Sequence, residues 1–360
     1  MTKKCKVAIC AATPFQTLNA INLAVNVLND GYEIDLFFRD FREDTHSILN
    51  ELSKYDFFSN IYVYDLRNKN EGLSYYLNDV EQGLMPKRFI EGLMKTPLKL
   101  ATKKYDVITV TSGTELEVAF TRVFPRARII AYDDGLGSYI GDIIHDHKLN
   151  IIWRLMGRTT KNIWPECLYV NNDSFCESKL STNILQLPSL ESQPLEYKEI
   201  IFSIFGAKKT KIYESKKYVY LTQPLTEIGN DAENVNKMIE QIIEKSGNEA
   251  IYRKHPRDFH EINISIDEDR TGCLWELICN SQITDNSVLI GICSTAQIMP
   301  KIIYDKEPKL IFLYKLFDFE DSSVVEKRFE PIVKKISSIY RKKNQIVIPS
   351  NLTELEALLL

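Results

Sequence analysis

Short β-prone runs alternate with stretches whose apolar residues recur at helical spacing, and they do so in two separate series along the chain. This alternation narrows the fold sharply. Parallel strands need crossovers long enough to hold a helix, whereas antiparallel strands are joined by tight turns. In the first series Lys6–Cys10, Glu33–Phe38, Ile61–Tyr64, Val107–Val110 and Arg128–Tyr132 read as strands. Leu18, Ile21, Val25 and Leu28 mark the first intervening helix, and further helical regions are expected over 75–101 and Thr114–Val123. The second series runs Tyr218–Thr222, Ala250–Arg253, Ser287–Ile292, Lys309–Leu313 and Gln345–Ile348, followed by a helix for which Asn351 and Glu354 form a capping box. Between them, residues 170–215 break the periodicity and carry Pro188 and Pro194. The expectation is two α/β domains, each a doubly wound Rossmann-like sheet, over 1–190 and 216–360, with a linker over 191–215 and a central cleft between the domains.

The length of 360 residues suits two domains at ~150 residues each. With 45 Lys+Arg against 49 Asp+Glu, the chain has no global field for gripping nucleic acid, and at 44% hydrophobic residues it is too apolar for disorder. Seven cysteines, an odd number without a C-x-x-C pair, argue against a zinc ribbon and against a disulfide framework. The amino terminus leads into a strand rather than a signal-peptide core, and no run reaches the ~18 apolar residues of a membrane span. A cytoplasmic, reduced protein is expected.

In open parallel sheets, ligands bind beyond the carboxyl ends of the strands. Five polar groups fall there: Ser112-Gly113, Asp133-Asp134-Gly135, Thr222-Gln223-Pro224, His255-Pro256 and Ser294-Thr295. The paired carboxylates suit general-base chemistry, one raising the pKa of the other, and Gly135 and Gly137 let a ligand approach the backbone. An Asx turn or helix cap is the competing reading. In Tyr252-Arg253-Lys254-His255-Pro256-Arg257, Pro256 holds His255 extended, and the surrounding cations suit an anionic ligand. A basic surface turn with an incidental histidine is the alternative. Ser294-Thr295 opens a helix, where hydroxyls and free N–H groups either bind phosphate or simply cap.

Two other features read more plainly. His145-Asp146-His147 has no third ligand cluster and reads as a solvated loop rather than a metal site. The basic run from Met85 to Lys104 is an amphipathic surface helix, or a membrane-facing surface. The chain contains neither G-x-x-x-x-G-K-S/T nor G-x-S-x-G.

Acidic-acidic-Gly, then His-Pro, then Ser-Ser/Thr, in that order on a two-Rossmann chain, resembles the signature of bacterial sialyltransferases. With Thr13-Pro14-Phe15-Gln16 and Leu221-Thr222-Gln223-Pro224-Leu225, the chain is most similar to glycosyltransferase family 52, which includes lipooligosaccharide and capsular sialyltransferases. The resemblance spans residue 13 to about 300. It implies a GT-B fold, CMP-Neu5Ac as donor, and inverting, metal-independent transfer to a sugar hydroxyl, often on galactose, without a cofactor. It implies Asp133 as the base toward the acceptor and His255 as the group that protonates or hydrogen-bonds the departing phosphate. Ser294 and Thr295 would hold that phosphate, with Arg253 and Pro256 on the donor side. Thr222 and Gln223 would lie near the phosphate or sialyl group, and Glu276 would accept ribose hydroxyls. Asp134, Gly135, Ser112 and Gly113 would support the acceptor side. A homodimer at the inner membrane face, acting on a lipid-linked glycan, fits the same family. The rival readings are a CDP-glycerol glycerophosphotransferase or glucosyltransferase on the same scaffold, and a non-catalytic nucleotide-sugar-binding subunit.

Overall fold

Strand and helix alternate throughout a computed structural model, which describes residues 4–40, 43–65, 81–111, 114–140, 165–176, 183–206, 211–225, 228–229, 231–321 and 323–360. The chain divides into two units, Met1–Phe205 and Gly206–Leu360.

The first unit is built on a seven-stranded sheet of order β3-β2-β1-β4-β5-β6-β7. Its strands are β1 (Cys5–Ala11), β2 (Tyr32–Arg39), β3 (Asn60–Tyr64), β4 (Val107–Val110), β5 (Arg128–Tyr132), β6 (Cys167–Val170) and β7 (Asn183–Gln186). All its pairings are parallel. Val7–Ala11 is buried throughout, as expected of a central strand covered on both faces. Phe37, Phe89, Ile90, Tyr105, Leu116 and Phe120 form the aromatic-rich core on one face.

The second unit carries a six-stranded sheet of order β10-β9-β8-β11-β12-β13. Its strands are β8 (Tyr218–Leu221), β9 (Ala250–Arg253), β10 (Asp267–Glu268), β11 (Val288–Gly291), β12 (Lys309–Phe312) and β13 (Ile346–Val347), again parallel. Each sheet therefore starts in its middle, winds outward, and returns to the other side of its first strand. The strand order reverses between β1 and β4 in one unit and between β8 and β11 in the other. Backbone crossovers leave these two switch points in opposite directions, which opens a crevice at the carboxyl ends.

The segment expected as a linker holds a helix, Leu195–Ile204, begun at Pro194, whose fixed φ suits a helix start and whose missing N–H costs nothing there. Strands β6 and β7 also fall in or beside the stretch of broken periodicity. The Asn351 cap forms as expected toward Glu354 N at 2.9 Å, but the Glu354 carboxylate returns to Ser350 N at 2.8 Å rather than to Asn351. Of the helix expected over 75–101, residues 81–84 and Pro86–Leu93 are helical, but the chain turns extended at Met94, which bridges Tyr64, so the helix does not run on to 101. No helix among the described residues is long and apolar enough to cross a membrane.

Candidate functional site

At the switch point of the second unit, three strand ends are joined by two hydrogen bonds through adjacent residues. Thr222 and Gln223 leave β8, the middle strand of the three. Thr222 Oγ1 accepts from His255 N at 3.0 Å, tying the exit of β9. Gln223 Oε1 accepts from Cys293 N at 2.9 Å, tying the exit of β11. His255 and Ser294 are thus held on either side of one dipeptide, and both are partly exposed. Gln223 therefore braces the loops. So does Thr222, which is buried and donates its hydroxyl to Asp258.

Within the His-Pro turn, Asp258 N donates to His255 O at 2.8 Å, and Arg257 N donates to His255 Nδ1 at 3.1 Å. A neutral ring with Nδ1 accepting carries its proton on Nε2. Pro256 and Arg257 are exposed beside it.

Ser294 is the N-cap of helix Thr295–Tyr304, accepting from Ala296 N at 3.3 Å. The reciprocal half of its capping box comes from Gln297, whose Oε1 accepts from Ser294 N at 3.0 Å. Gln297 Nε2 reaches back to Leu289 O and Ile311 O, at 3.3 and 3.0 Å, so the helix start is fastened to two strands. Gly291 is required beneath it. A Cβ there would come within 3.0 Å of Leu221 O and 2.9 Å of Gln297 Oε1. The Thr295 hydroxyl makes no hydrogen bond among the described residues, so the helix start offers a hydroxyl, a macrodipole and a partly exposed surface to an anion. A groove of about 570 Å³ lies near the ends of β12 and β13, lined by Tyr314, Lys315, Glu326, Glu330 and Ile348 among others, and its lining does not include His255, Ser294 or Thr295.

Arg253 and Glu276 differ in their surroundings. The Arg253 guanidinium is tied inside the fold: it pairs with Asp269, donates to Cys273 O at 2.6 Å and lies over the Trp275 ring at 5.7 Å. Burial would lower its pKa, but Tyr213 and Asp269 beside it raise it, and the two partners inside the fold make it a structural cation. Glu276 is partly exposed in the first turn of helix Trp275–Ser281, whose Trp275 Nε1 donates to Ala296 O at 2.8 Å. That bond places Glu276's helix against the start of the Ser294 helix.

At the switch point of the first unit, helix Pro14–Asn22 leaves β1 under a Thr13 cap, with Gln16 N donating to Thr13 Oγ1 at 3.1 Å. The Gln16 amide links three strand ends: Oε1 accepts from Ala12 N at 2.5 Å, and Nε2 donates to Thr111 Oγ1 at 3.2 Å and to Asp134. Behind Thr111 lies the buried Glu117. It accepts from Thr111 N, Thr111 Oγ1 and Thr114 N at 2.7, 2.8 and 2.7 Å, and it completes the capping box of helix Glu115–Val123. Burial pushes its carboxyl up to about 7 against the pull of those bonds.

The two aspartates after β5 have opposite environments. Asp133 is fully buried, accepting from Gly135 N at 2.8 Å, Asn171 N at 3.1 Å, Asn171 Nδ2 at 2.9 Å and the Tyr139 hydroxyl. Burial raises its pKa while these donors hold it down. Its first oxygen makes an Asx turn onto Gly135, whose φ of 104° disfavours any side chain. A sealed carboxylate with both oxygens occupied cannot reach an acceptor hydroxyl, so the expectation that Asp133 is the base is corrected. Asp134 is the partly exposed member, its N–H held by Ser138 Oγ at 2.7 Å and its carboxylate by Gln16. Ser112, Gly113 and the His145-Asp146-His147 loop lie outside the described residues.

Sequence reasoning passed over Asn171 and Tyr139, which hold Asp133, and over Asp258 and His260, which stand behind His255. Asp258 and His260 had a signal, two more polar residues within five of His255. Asn171 had none, because its strand was not recognised.

Two parallel, doubly wound units in one chain match the GT-B fold. A crystal structure titled as the glycotransferase of kitacinnamycin aligns with 99% of this chain and 90% of its own at a TM-score of 0.54 and 8% identity. The spinosyn rhamnosyltransferase SpnG in complex with thymidine diphosphate aligns over 99% of this chain and 91% of its own, at 0.47 and 11% identity. UGT89C1 of Arabidopsis thaliana, complexed with UDP-L-rhamnose, aligns over 99% and 90%, at 0.49 and 11% identity. No model of a known family matches the sequence, and no curated protein does.

Proposed function

We propose that the chain is a glycosyltransferase that moves sialic acid from CMP-Neu5Ac to a sugar hydroxyl, of galactose in a capsular or lipooligosaccharide glycan. The transfer inverts the anomeric centre and needs no metal ion. The observation that carries this reading is the junction in the second unit, where His255 and the Ser294-Thr295 helix start are fastened to one dipeptide at the switch point. A single phosphate suits such a junction: one ring N–H, one free hydroxyl and one helix start. The order of the acidic-acidic-Gly, His-Pro and Ser-Thr motifs supports sialyl transfer over other transfers.

In the proposed reaction, the Asp134 carboxylate takes the proton of the acceptor hydroxyl as its oxygen bonds to the anomeric carbon. The bond from that carbon to the phosphate oxygen breaks, and CMP leaves. His255 Nε2–H donates to the oxygen that gains charge, and Thr295 with its helix start holds the rest of the phosphate. Charge at the anomeric carbon is oxocarbenium-like, and the donor's own carboxylate offsets it. Asp133, locked by Tyr139 and Asn171, shapes the turn that presents Asp134.

The test is incubation of the purified chain with CMP-Neu5Ac, CDP-glycerol or UDP-glucose and a panel of galactosides, with EDTA present. Sialylated product with CMP release is expected from CMP-Neu5Ac alone. Product from another donor moves the assignment to that donor. CMP binding without turnover on any acceptor marks a binding subunit.

A further inference from the structure

Behind the His-Pro turn lies a buried chain of polar contacts that the proposed reaction leaves unused. The His260 ring bridges two carboxylates: Nδ1 meets Asp258 Oδ1 at 2.5 Å, and Nε2 meets Glu240 Oε1 at 2.9 Å. Glu240 lies on helix Ala232–Glu244 and is buried, as is Asp258. Asn236, one turn earlier on that helix, donates to Glu240 Oε1 at 2.6 Å and sits 3.2 Å from His260 Nε2. Tyr220 of β8 donates to Asn236 Oδ1 at 2.6 Å. On the loop itself, Lys254 Nζ donates to His260 O at 2.7 Å, and His260 N donates to Asp258 Oδ1 at 3.2 Å. The other Asp258 oxygen accepts from the Thr222 hydroxyl, whose oxygen accepts from His255 N. The path from Glu240 to the His255 backbone is therefore continuous.

Chemistry fixes the charge at its centre. A ring facing a carboxylate at each nitrogen must donate from both, which only the imidazolium does. Two carboxylates would otherwise be buried together uncompensated. We infer that His260 is a positioning residue for His255: as an imidazolium clamped between Asp258 and Glu240, it orients Asp258 to hold Thr222, and Thr222 sets the His255 backbone. This inference rests on the reading of His255 as the group at the departing phosphate.

Hydrogen bonds donated to Asp258 and Glu240 raise the His260 pKa to about 9. Burial would raise the Asp258 pKa, but bonds from His260 and Thr222 bring it below the ordinary carboxylate value. The clamp is therefore complete near neutrality and is lost as pH rises through about 9.

The experiment compares His260→Ala, His260→Gln and Asp258→Asn with wild type, alone and combined with His255→Ala. In the two alanine and asparagine variants, kcat is expected to fall on the order of tenfold to a hundredfold, with acceptor KM unchanged. His260→Gln, which can still donate to one carboxylate, should recover part of the rate and lose the alkaline limb near pH 9. Added to His255→Ala, His260→Ala should lower kcat no further. A full additional loss in that double variant, or an unchanged alkaline limb in His260→Gln, overturns the inference. Nitrogen-15 spectra of the histidines give a readout independent of turnover. His260 should show two protonated ring nitrogens at neutral pH, and His260→Ala should shift the His255 amide together with those of its contacts Asp258, Thr222 and Glu240, while residues outside this path stay put. If wild type turns over none of the donors, the functional reading fails and these spectra still decide: an unmoved His255 amide overturns the positioning role. If His260→Ala does not fold, His260→Gln and Asp258→Asn carry the same comparisons.

Discussion

Asp133 and Asp134 share a sequence motif and little else. The first is a buried acceptor for Gly135, Tyr139 and Asn171, and the second is a partly exposed carboxylate oriented by Gln16. Asp134→Asn is expected to abolish transfer and to leave CMP affinity within about threefold, as read by calorimetry, because it removes only the group that takes the acceptor's proton. Asp133→Asn turns an amide N–H against buried donors and should cost about 2–3 kcal/mol in urea unfolding. A stable, inactive Asp133→Asn with an active Asp134→Asn would reverse the two roles. From sequence both residues read as strand-exit acids, because the motif shows that a turn exists but not which carboxylate faces inward. The same limit applied to Arg253. Its place two before His255 suggested a donor contact, while Asp269, sixteen residues on, claims its guanidinium.

Elements hold these residues through glutamine and glutamate side chains at strand exits. Gln223 joins β8 to the turn before Ser294, and Gln297 fastens the helix start to β11 and β12. Gln223→Ala leaves Cys293 N unheld and loosens that turn, so steady-state kinetics should show donor KM rising on the order of tenfold with acceptor KM unchanged. Glu117 plays the comparable part in the first unit, and its raised pKa gives a pH signature. Its folded pKa of about 7 stands above the ordinary 4.5, so the folded chain binds the proton more tightly. Stability therefore falls as pH rises from 4.5 toward 7 and is flat above it with respect to this group. Urea midpoints at about pH 5 and about pH 8 should differ more in wild type than in Glu117→Gln. Strand ranges such as Val107–Val110, Arg128–Tyr132 and Ala250–Arg253 were legible because continuous apolar runs mark strands buried on both faces. Asn183–Gln186 and Asp267–Glu268 were not, since the first has polar ends and an edge exposure that break the apolar run and the second is a two-residue acidic strand.

On the scale of the whole molecule, each unit has its own parallel sheet and its own switch point, so ligand contacts should register unit by unit. Saturating CMP is expected to raise amide protection at 222–223, 253–260 and 293–297 and to leave 12–17 and 133–139 unchanged, measured by hydrogen exchange. Protection appearing at 133–139 alone would contradict a nucleotide site in the second unit. Alternation of strand and helix determined the α/β class and two doubly wound sheets, because a parallel strand cannot be reached without a crossover and the crossovers are written as helical periods. The placing of polar motifs at strand exits was likewise readable, since it depends only on counting from the end of an apolar run. Which of those side chains face a ligand and which are consumed by neighbours was decided by tertiary structure. Tyr139 and Asn171 around Asp133, Asp269 on Arg253, and Glu240 with Asp258 around His260 come from other turns and strands. Hydrogen-bond partners are chosen by distance in space, and sequence separation does not encode it.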